Sequence, residues 1–172
     1  MKLVEKYIPS TAASLSANSL ALLSFDEFTF LVPGEDVLSL LPIQKIDAAV
    51  ASNSCGLVEY NGHSVPVFSV NKALQLQSSK KDSHSVIAIL NYQSMWFSLA
   101  CNSLAKCEIG NLQLFRVPTC MSSRKQPFSQ VAIVGDKAAC LTNSAELWKL
   151  LHLRGAVGAT ISPTLIRAHE GY

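Results

Sequence analysis

The chain has 172 residues, of which 49% are hydrophobic and only 15% are charged. A chain of this length can bury enough apolar surface to fold as one domain, and its low charged fraction excludes an intrinsically disordered protein. The formal net charge of +2 is too small to indicate nucleic-acid binding by itself. The charge is unevenly distributed: residues 1–59 contain three basic and seven acidic residues and carry −4, whereas residues 60–172 carry +6.

Residues 1–24 are predicted to form an N-terminal arm, because small polar residues dominate and no clear period is present. A short helix around Ala12–Leu23 is the alternative for the end of this arm. Glu5 and Pro9 interrupt the apolar stretch that a signal peptide would need. Since no run of 18 apolar residues occurs, we expect no direct membrane insertion and a cytoplasmic location.

Strand-forming residues begin at Phe28. The runs Phe28–Val32 and Val37–Leu41 flank a Pro-Gly-Glu-Asp turn signal and predict a first hairpin. A second hairpin is predicted where Asn61-Gly62 follows Gly56–Tyr60, because a tight turn with positive φ at both central positions favours this pair.

The second half of the chain repeats this organisation after a polar loop at residues 77–83. Hairpins are predicted around Gln93-Ser94 and around Gly135-Asp136, each between runs of strand-forming residues. Asn143 and Glu146 have the spacing of a capping box, which predicts a helix that starts near Ser144. The helix would bury Leu147, Leu150 and Leu151 and end near Gly155, ahead of a C-terminal tail at residues 156–172.

The strands therefore fall into two groups, which we expect to be split near residue 80. No long helix connects successive strands, and this favours two small antiparallel barrels over a parallel α/β sheet. The fold class is predicted to be all-β, with one C-terminal helix.

Four segments, in this order and spacing, resemble the CheW-like family, the coupling proteins of bacterial chemosensory arrays. The strongest is Gly56–Val70, which contains a glycine, two apolar residues, a tight turn and Val-Pro-Val. The others are Leu41–Ile46, Val86–Leu104 and Val131–Leu151.

This resemblance implies a domain over residues 25–155 that consists of two SH3-like five-stranded β-barrels packed together. It also implies a non-enzymatic signalling adaptor, which couples the regulatory domain of a histidine kinase to the cytoplasmic tip of a chemoreceptor. The residues that it implies for partner binding are Val58, Glu59, Tyr60, Asn61 and Ile43.

The chain departs from the family pattern at four positions. Glu59 replaces the turn asparagine, Asn61 replaces the turn arginine, and Ser69 and Asn102 replace aspartates. Losing the arginine removes a planar fork of five donors that asparagine cannot reproduce. We therefore expect a diverged member, in a chemotaxis or pilus-motility pathway, whose receptor binding is altered while kinase binding persists.

The cysteines and histidines give no specific signal for an enzyme. The five cysteines are widely spaced without a C-x-x-C motif, so neither a disulfide framework nor a metal site is expected. Cys55 and His63 are the candidate pair for nucleophilic catalysis, but a loop cysteine and a strand histidine are the simpler interpretation. No phosphate-binding or serine-hydrolase motif occurs, and we expect no cofactor.

Two other binding functions are known for small β-barrels. Small barrels bind single-stranded nucleic acid with stacked aromatic and basic residues, but Trp96 and Phe97 face opposite sides of a strand and no basic residues alternate with them. Nucleic acid is therefore not an expected partner. A small β-barrel module that binds peptides by strand addition, unrelated to chemosensing, remains the alternative function.

Overall fold

The computed structural model describes residues 5–6, 19–47, 54–108, 112–118, 120 and 126–153. Within them the chain forms thirteen strands and one α-helix. In chain order these are β1 (Glu5–Lys6), β2 (Ser19–Ser24), β3 (Thr29–Pro33), β4 (Val37–Pro42), β5 (Gly56–Tyr60), β6 (His63–Val70), β7 (Leu76–Gln77), β8 (Val86–Tyr92), β9 (Met95–Cys101), β10 (Ser103–Glu108), β11 (Gln113–Arg116), β12 (Gln130–Val134), β13 (Lys137–Leu141) and α1 (Ser144–Leu153).

The strands form two sheets. The seven-stranded sheet has the order β1-β10-β2-β3-β13-β12-β11, and the six-stranded sheet has the order β4-β8-β9-β6-β5 with β7 paired to β6. Neighbouring strands are antiparallel except for two parallel pairs, β13 with β3 and β6 with β9. The all-β prediction with one C-terminal helix is confirmed, although the sheets contain seven and six strands instead of five each.

The two sheets do not follow the two halves of the chain, and the predicted split of the strands near residue 80 is wrong. Strand β8, which lies after that point, pairs with β4 and β9 in the six-stranded sheet. The seven-stranded sheet combines the first strands of the chain with β10 to β13. In the sequence, the six-stranded sheet is therefore inserted between β3 and β10 of the seven-stranded sheet. Pairing between strands that are distant in sequence decides which strands share a sheet.

The hairpin predicted between Phe28–Val32 and Val37–Leu41 is also wrong. Strand β3 lies between β2 and β13, so neither of its edges is free for β4. A short 3-10 helix, Gly34–Asp36, instead directs the chain into the other sheet, where β4 pairs with β8. This helix is one of the two crossings between the sheets; the other lies between β9 and β10.

The remaining three predicted hairpins are confirmed. Strands β5 and β6 turn at Asn61-Gly62, where φ is +49° and +79°. Strands β8 and β9 turn at Gln93-Ser94, again with positive φ at both residues, and β12 and β13 turn at Gly135-Asp136. Positive φ at both central positions twists a two-residue turn in the sense that the strands need.

The parts of the predicted arm that the structure describes are two strands, β1 and β2. The suggested helix around Ala12–Leu23 is wrong for residues 19–23, which belong to β2; residues 12–18 lie outside the described chain. Leu20 and Leu22 pack on one side of β2, whereas Ala21 and Leu23 pack on the other. Because both faces are covered, the strand lacks the polar alternation by which a half-buried strand is recognised.

Three apolar clusters make up the core of the described part of the chain. One cluster lies between the sheets and joins Phe30 of β3 with Phe68, Phe97 and helix residues Leu147 and Leu151. The other two draw their buried residues from one sheet each, which fits sheets that curl around their own interiors. The cluster within the six-stranded sheet is important below and is called the inner cluster; its buried members are Ile43, Val58, Val65, Val67, Ile87, Ile89 and Ala100.

Helix α1 begins as predicted at Ser144. The side-chain oxygen of Asn143 accepts a hydrogen bond from the backbone N–H of Glu146 at 2.9 Å, and Leu147, Leu150 and Leu151 are buried. Its predicted end near Gly155 and the tail lie outside the described residues. With ten residues α1 is too short to cross a bilayer, and the described chain contains no helix that could.

Candidate partner-binding surface

The turns at Asn61-Gly62 and Gln93-Ser94 lie side by side. Each precedes one strand of the parallel pair β6 and β9, in which Val67 lies opposite Ser98. Both turns must therefore lie at the same end of the six-stranded sheet. Strand β4 begins at this end too, since Val37 pairs with Leu90. We call this region the turn end.

The five residues predicted for partner binding divide into two sets. Glu59 and Asn61 are exposed at the turn end, and Tyr60 between them is half-buried. Val58 and Ile43 are members of the inner cluster with only 1% and 6% exposure, so they cannot offer their side chains to a partner without rearrangement. Ile43 also follows the far end of β4, where Pro42 pairs with Val86, and is not brought near Asn61.

Three aromatic rings meet beside the Asn61 turn. The Tyr60 and Trp96 rings are 5.2 Å apart between centroids and meet edge to face, and the His63 and Trp96 rings do so at 5.5 Å. Tyr60 and Trp96 pack against the inner cluster. We call Tyr60, His63 and Trp96 the aromatic row.

Neither Trp96 nor its neighbour Asn91 was predicted from the sequence to lie at this surface. They come from another hairpin, and only the parallel pairing of β6 with β9 brings that hairpin beside Tyr60. The sequence does show that a two-residue turn precedes both β6 and β9. This pattern does not reveal that the two strands are neighbours, because local sequence does not specify which strands pair.

Asn91 extends the aromatic row by one strand. It lies directly opposite Trp96 in the β8–β9 pair, and directly opposite residues of an antiparallel pair share a face. Its side-chain oxygen is buried and accepts no hydrogen bond from any residue that the structure describes. A buried acceptor without a donor is rare in folded proteins and costs free energy.

The turn end is acidic. Its three segments, residues 34–38, 57–65 and 90–97, contain Glu35, Asp36 and Glu59 but no lysine or arginine. Asp36 already accepts a hydrogen bond from the backbone N–H of Ser144 at 2.9 Å, whereas Glu35 and Glu59 are exposed.

The thiol of Cys55 is not activated as a nucleophile. The Cys55 thiol donates to the carbonyl oxygen of Val67 at 3.3 Å, and burial raises its pKa to about 11. His63 packs its ring on Trp96. A thiol with so high a pKa remains protonated at neutral pH and is a poor nucleophile. In the described part of the chain, no three His, Cys, Asp or Glu side chains come together as a metal site.

A polar cluster occupies the opposite end of the six-stranded sheet, around Asp26. This carboxylate accepts hydrogen bonds from the Asn102 side-chain nitrogen at 2.7 Å and from the Ser83 hydroxyl at 2.8 Å, and Lys81 lies 3.5 Å away. These hydrogen bonds and the Lys81 charge lower the pKa of Asp26 below its ordinary value. The cluster connects residues of the two sheets, and we attribute these contacts to holding the sheets together.

Comparison with known proteins identifies a family and a related fold. A family model described as the CheW-like domain matches residues 20–155. Among solved structures, the chain is similar to the scaffolding protein TtCheW from Thermoanaerobacter tengcongensis, with 14% identity and a TM-score of 0.54 over 73% of this chain and 88% of that one. At this identity the likeness shows the fold alone. No curated protein matches.

Proposed function

Because the chain belongs to the CheW-like family, we propose that it is a non-enzymatic signalling adaptor in the cytoplasm. It couples a histidine kinase, through the kinase's regulatory domain, to the cytoplasmic tips of chemoreceptors in a chemotaxis or pilus-motility pathway. The observation that carries the proposal is the family match over residues 20–155, which spans most of both sheets and the helix. The name of the structural relative, a scaffolding protein, agrees with it.

The turn end supplies one candidate binding surface for such an adaptor. The turn end offers exposed Glu59 and Asn61 beside the half-buried aromatic row. We assign the partner-binding role to Glu59, Tyr60 and Asn61, while Val58 supports this surface from the inner cluster. Ile43 belongs to the same cluster but lies at the far end of β4. Kinase binding uses a separate face, so that the two partners are held at the same time.

Receptor coupling is the part of the function that we expect to differ from the family pattern. Asn61 occupies the exposed turn at which the family has an arginine. An asparagine cannot form the paired, planar hydrogen bonds of a guanidinium group. Receptor binding should accordingly be weaker or directed to a different receptor surface, whereas kinase binding persists.

Binding of purified partners tests this proposal. The full chain is immobilised and exposed to the regulatory domain of its cognate histidine kinase, to the receptor's cytoplasmic fragment, and to both together. We expect the kinase domain to bind with a dissociation constant on the order of micromolar, as in transient signalling contacts, and the receptor fragment to join a ternary complex. Failure of both partners to bind at high micromolar concentration would contradict the adaptor function.

The alternative, a peptide-binding module unrelated to chemosensing, has one observation in its favour. Strand β11 is at the edge of the seven-stranded sheet, and its Leu114 and Phe115 are about half exposed, at 49% and 52%. An edge strand with exposed apolar side chains is the element that strand addition uses. Loss of kinase binding on Phe115→Asp, with receptor binding and folding unchanged, would instead assign β11 to the kinase-binding face.

A further inference from the structure

Strand β11 is an open edge of the seven-stranded sheet. Among the described strands it pairs only with β12, and all four of its residues, Gln113–Arg116, are exposed. Leu114 and Phe115, at 49% and 52%, are the large hydrophobic side chains that the described part of the chain leaves exposed. Proteins commonly protect such an edge with prolines, bulges or several charges, because its free backbone groups can pair with another chain.

The register of β11 with β12 shows which of its backbone groups are free. One residue beyond the ladder, the N–H of Val117 donates to the carbonyl oxygen of Ser129, so these two form a hydrogen-bonded pair. Hydrogen-bonded and non-hydrogen-bonded pairs alternate along antiparallel strands. Phe115 is therefore bonded to β12, whereas the N–H and C=O groups of Leu114 and Arg116 point away from it. An added strand would meet these groups.

The two faces of β11 offer different chemistry. Directly opposite residues of an antiparallel pair share a face, and Phe115 lies opposite Val131, which is only half-buried. Ile133, two residues further along β12, is half-buried on the same face. The other face of β11 carries Leu114 and Arg116, because successive side chains of a strand alternate. An added strand therefore meets an apolar surface on one face and a guanidinium group on the other.

The segment around β11 is positively charged. Residues 109–135 comprise β11, β12 and the loop between them, and they contain three basic residues and no acidic one, which gives +3. These basic residues are Arg116, Arg124 and Lys125, and the charges of Asp136 and Lys137 in the next turn cancel. Acidic side chains are therefore favoured in a partner. A second copy of this chain fits less well, because its own β11 would bring the same positive charge to the edge.

From the open edge, its two faces and the local charge we propose that β11 binds an extended segment of a protein partner as an eighth, antiparallel strand of the sheet. Acidic and apolar residues alternate in this segment. The acidic residues lie opposite Leu114 and Arg116 and exchange backbone hydrogen bonds with them, and the apolar residues share the face of Phe115. This site lies in the other sheet from the turn end and goes beyond the proposed adaptor function.

The test titrates the full chain into a fluorescently labelled, capped Val-Glu-Val-Glu-Val-Glu-Val peptide and follows the anisotropy. We expect saturable binding, and several-fold weaker binding when lysine replaces glutamate. Two N-methylated peptides probe the backbone hydrogen bonds. Methyl groups on the glutamate nitrogens remove the donors that face β11 and should weaken binding at least about tenfold, whereas methyl groups on the valine nitrogens face away and should have a much smaller effect.

Variants of β11 test the same contacts from the protein side. Leu114→Pro removes an outward N–H, which an edge strand tolerates, so the far-UV spectrum should persist while peptide binding falls at least about tenfold. Phe115→Thr keeps the strand propensity but removes the ring and should weaken binding several-fold. Arg116→Gln should weaken it about two- to fivefold at low salt, as expected for an exposed ion pair. Lys80→Gln, at an exposed position between β7 and β8, is the matched control and should have no effect.

Equal binding of the two N-methylated peptides, equal binding of the glutamate and lysine peptides, or unchanged binding in Phe115→Thr would each overturn the inference. The methylated peptides decide the matter even if Leu114→Pro does not fold. Dimerisation of the chain that Arg116→Gln strengthens, without peptide binding, would place a second copy at this edge and also overturn it. The titration needs neither kinase nor receptor, so its failure would leave the adaptor function standing, and a failed pull-down would leave the β11 site standing.

Discussion

The side-chain nitrogen of Asn102 donates a hydrogen bond to a carboxylate oxygen of Asp26 across 2.7 Å. Asn102 follows β9 of the six-stranded sheet, and Asp26 lies in the turn between β2 and β3 of the seven-stranded sheet. The backbone N–H of Asn102 also donates to the carbonyl oxygen of Ser24. These hydrogen bonds therefore stabilise the connection through which the chain passes from the six-stranded sheet to the seven-stranded sheet.

Replacing Asn102 with aspartate, the residue of the family pattern, should destabilise this protein. Asn102→Asp would place a second carboxylate beside Asp26 and remove the donor, and neighbouring like charges disfavour ionisation. We expect a lower urea midpoint at pH 7 than in the wild type. In the double variant Asp26→Asn, Asn102→Asp the amide and carboxylate exchange places, so the midpoint should recover. A single variant as stable as the wild type would contradict this account.

Stability should also depend on the protonation of His84. This side chain is 3% exposed, its Nδ1 accepts a hydrogen bond from the backbone N–H of Lys81, and burial lowers its pKa below the ordinary 6.5. Nearby Asp26 opposes this shift, while Lys81 and Lys80 add to it. Because the unfolded chain takes up the proton first, the contribution is fully present above pH 6.5 and is lost as the pH falls toward the folded pKa.

Urea titrations at several pH values measure this dependence. The free energy of unfolding should fall by at most about 1.4 kcal/mol per pH unit below 6.5, the limit for one proton. His84→Gln should show a flatter profile over the same range. If the variant titrates like the wild type, another group is responsible.

The N-cap of α1 gives a local prediction. Asn143→Ala removes the acceptor for the Glu146 N–H and should cost about 1 kcal/mol of stability, whereas Asn143→Asp retains a cap and should be nearly neutral. Thermal unfolding followed by circular dichroism measures both. Equal losses in the two variants would mean that the cap is not the cause.

The role of the Asn61 turn in receptor binding can be tested by restoring the residue of the family pattern. Asn61→Arg restores the residue type of the family pattern at an exposed position. We expect it to strengthen or redirect binding of the receptor fragment, with kinase binding and the far-UV spectrum unchanged. Asn61→Gly is the matched control, because glycine also adopts the positive φ of this turn but adds no donor. If Asn61→Arg leaves both partners unaffected, the turn is not part of the interface.

The five thiols should differ strongly in reactivity. All are unpaired in the structure; Cys120 is exposed, whereas burial raises the pKa of the other four, with Cys101 at about 12. A thiol reagent should therefore count five free thiols in denaturant without reductant, but react quickly only with Cys120 in the native protein. Cys120→Ser should remove the fast phase. A denatured count of three would reveal a disulfide.

The features that could be predicted from sequence are the local ones. The Asn61-Gly62 turn and the Asn143 cap depend on residues within a few positions of each other, and both predictions are confirmed. The partner of β3 could not be predicted in this way, because β13 is more than a hundred residues later and competes with the nearby β4. Strand β2 was missed since both of its faces are buried.

The candidate surface could likewise be predicted only in part from the sequence. Tyr60 and Asn61 were identified through the resemblance and do reach the turn end, but burial of Val58 and Ile43 depends on how the six-stranded sheet curls. The neighbour that completes the aromatic row, Trp96, is set by the parallel register of β6 and β9. Such registers depend on packing across the whole sheet, which a single sequence does not display.

The nesting of one sheet inside the other has a consequence for the order of synthesis. When residue 101 has left the ribosome, every strand of the six-stranded sheet is present, whereas β2 and β3 still lack their neighbours β10 and β13. The free edge of β2 must wait through the translation of residues 34–102 before β10 can pair with it, and the free edge of β3 waits until residue 141 for β13. During this interval Leu20–Val32 therefore presents unpaired strand edges, which favour premature aggregation in the growing chain.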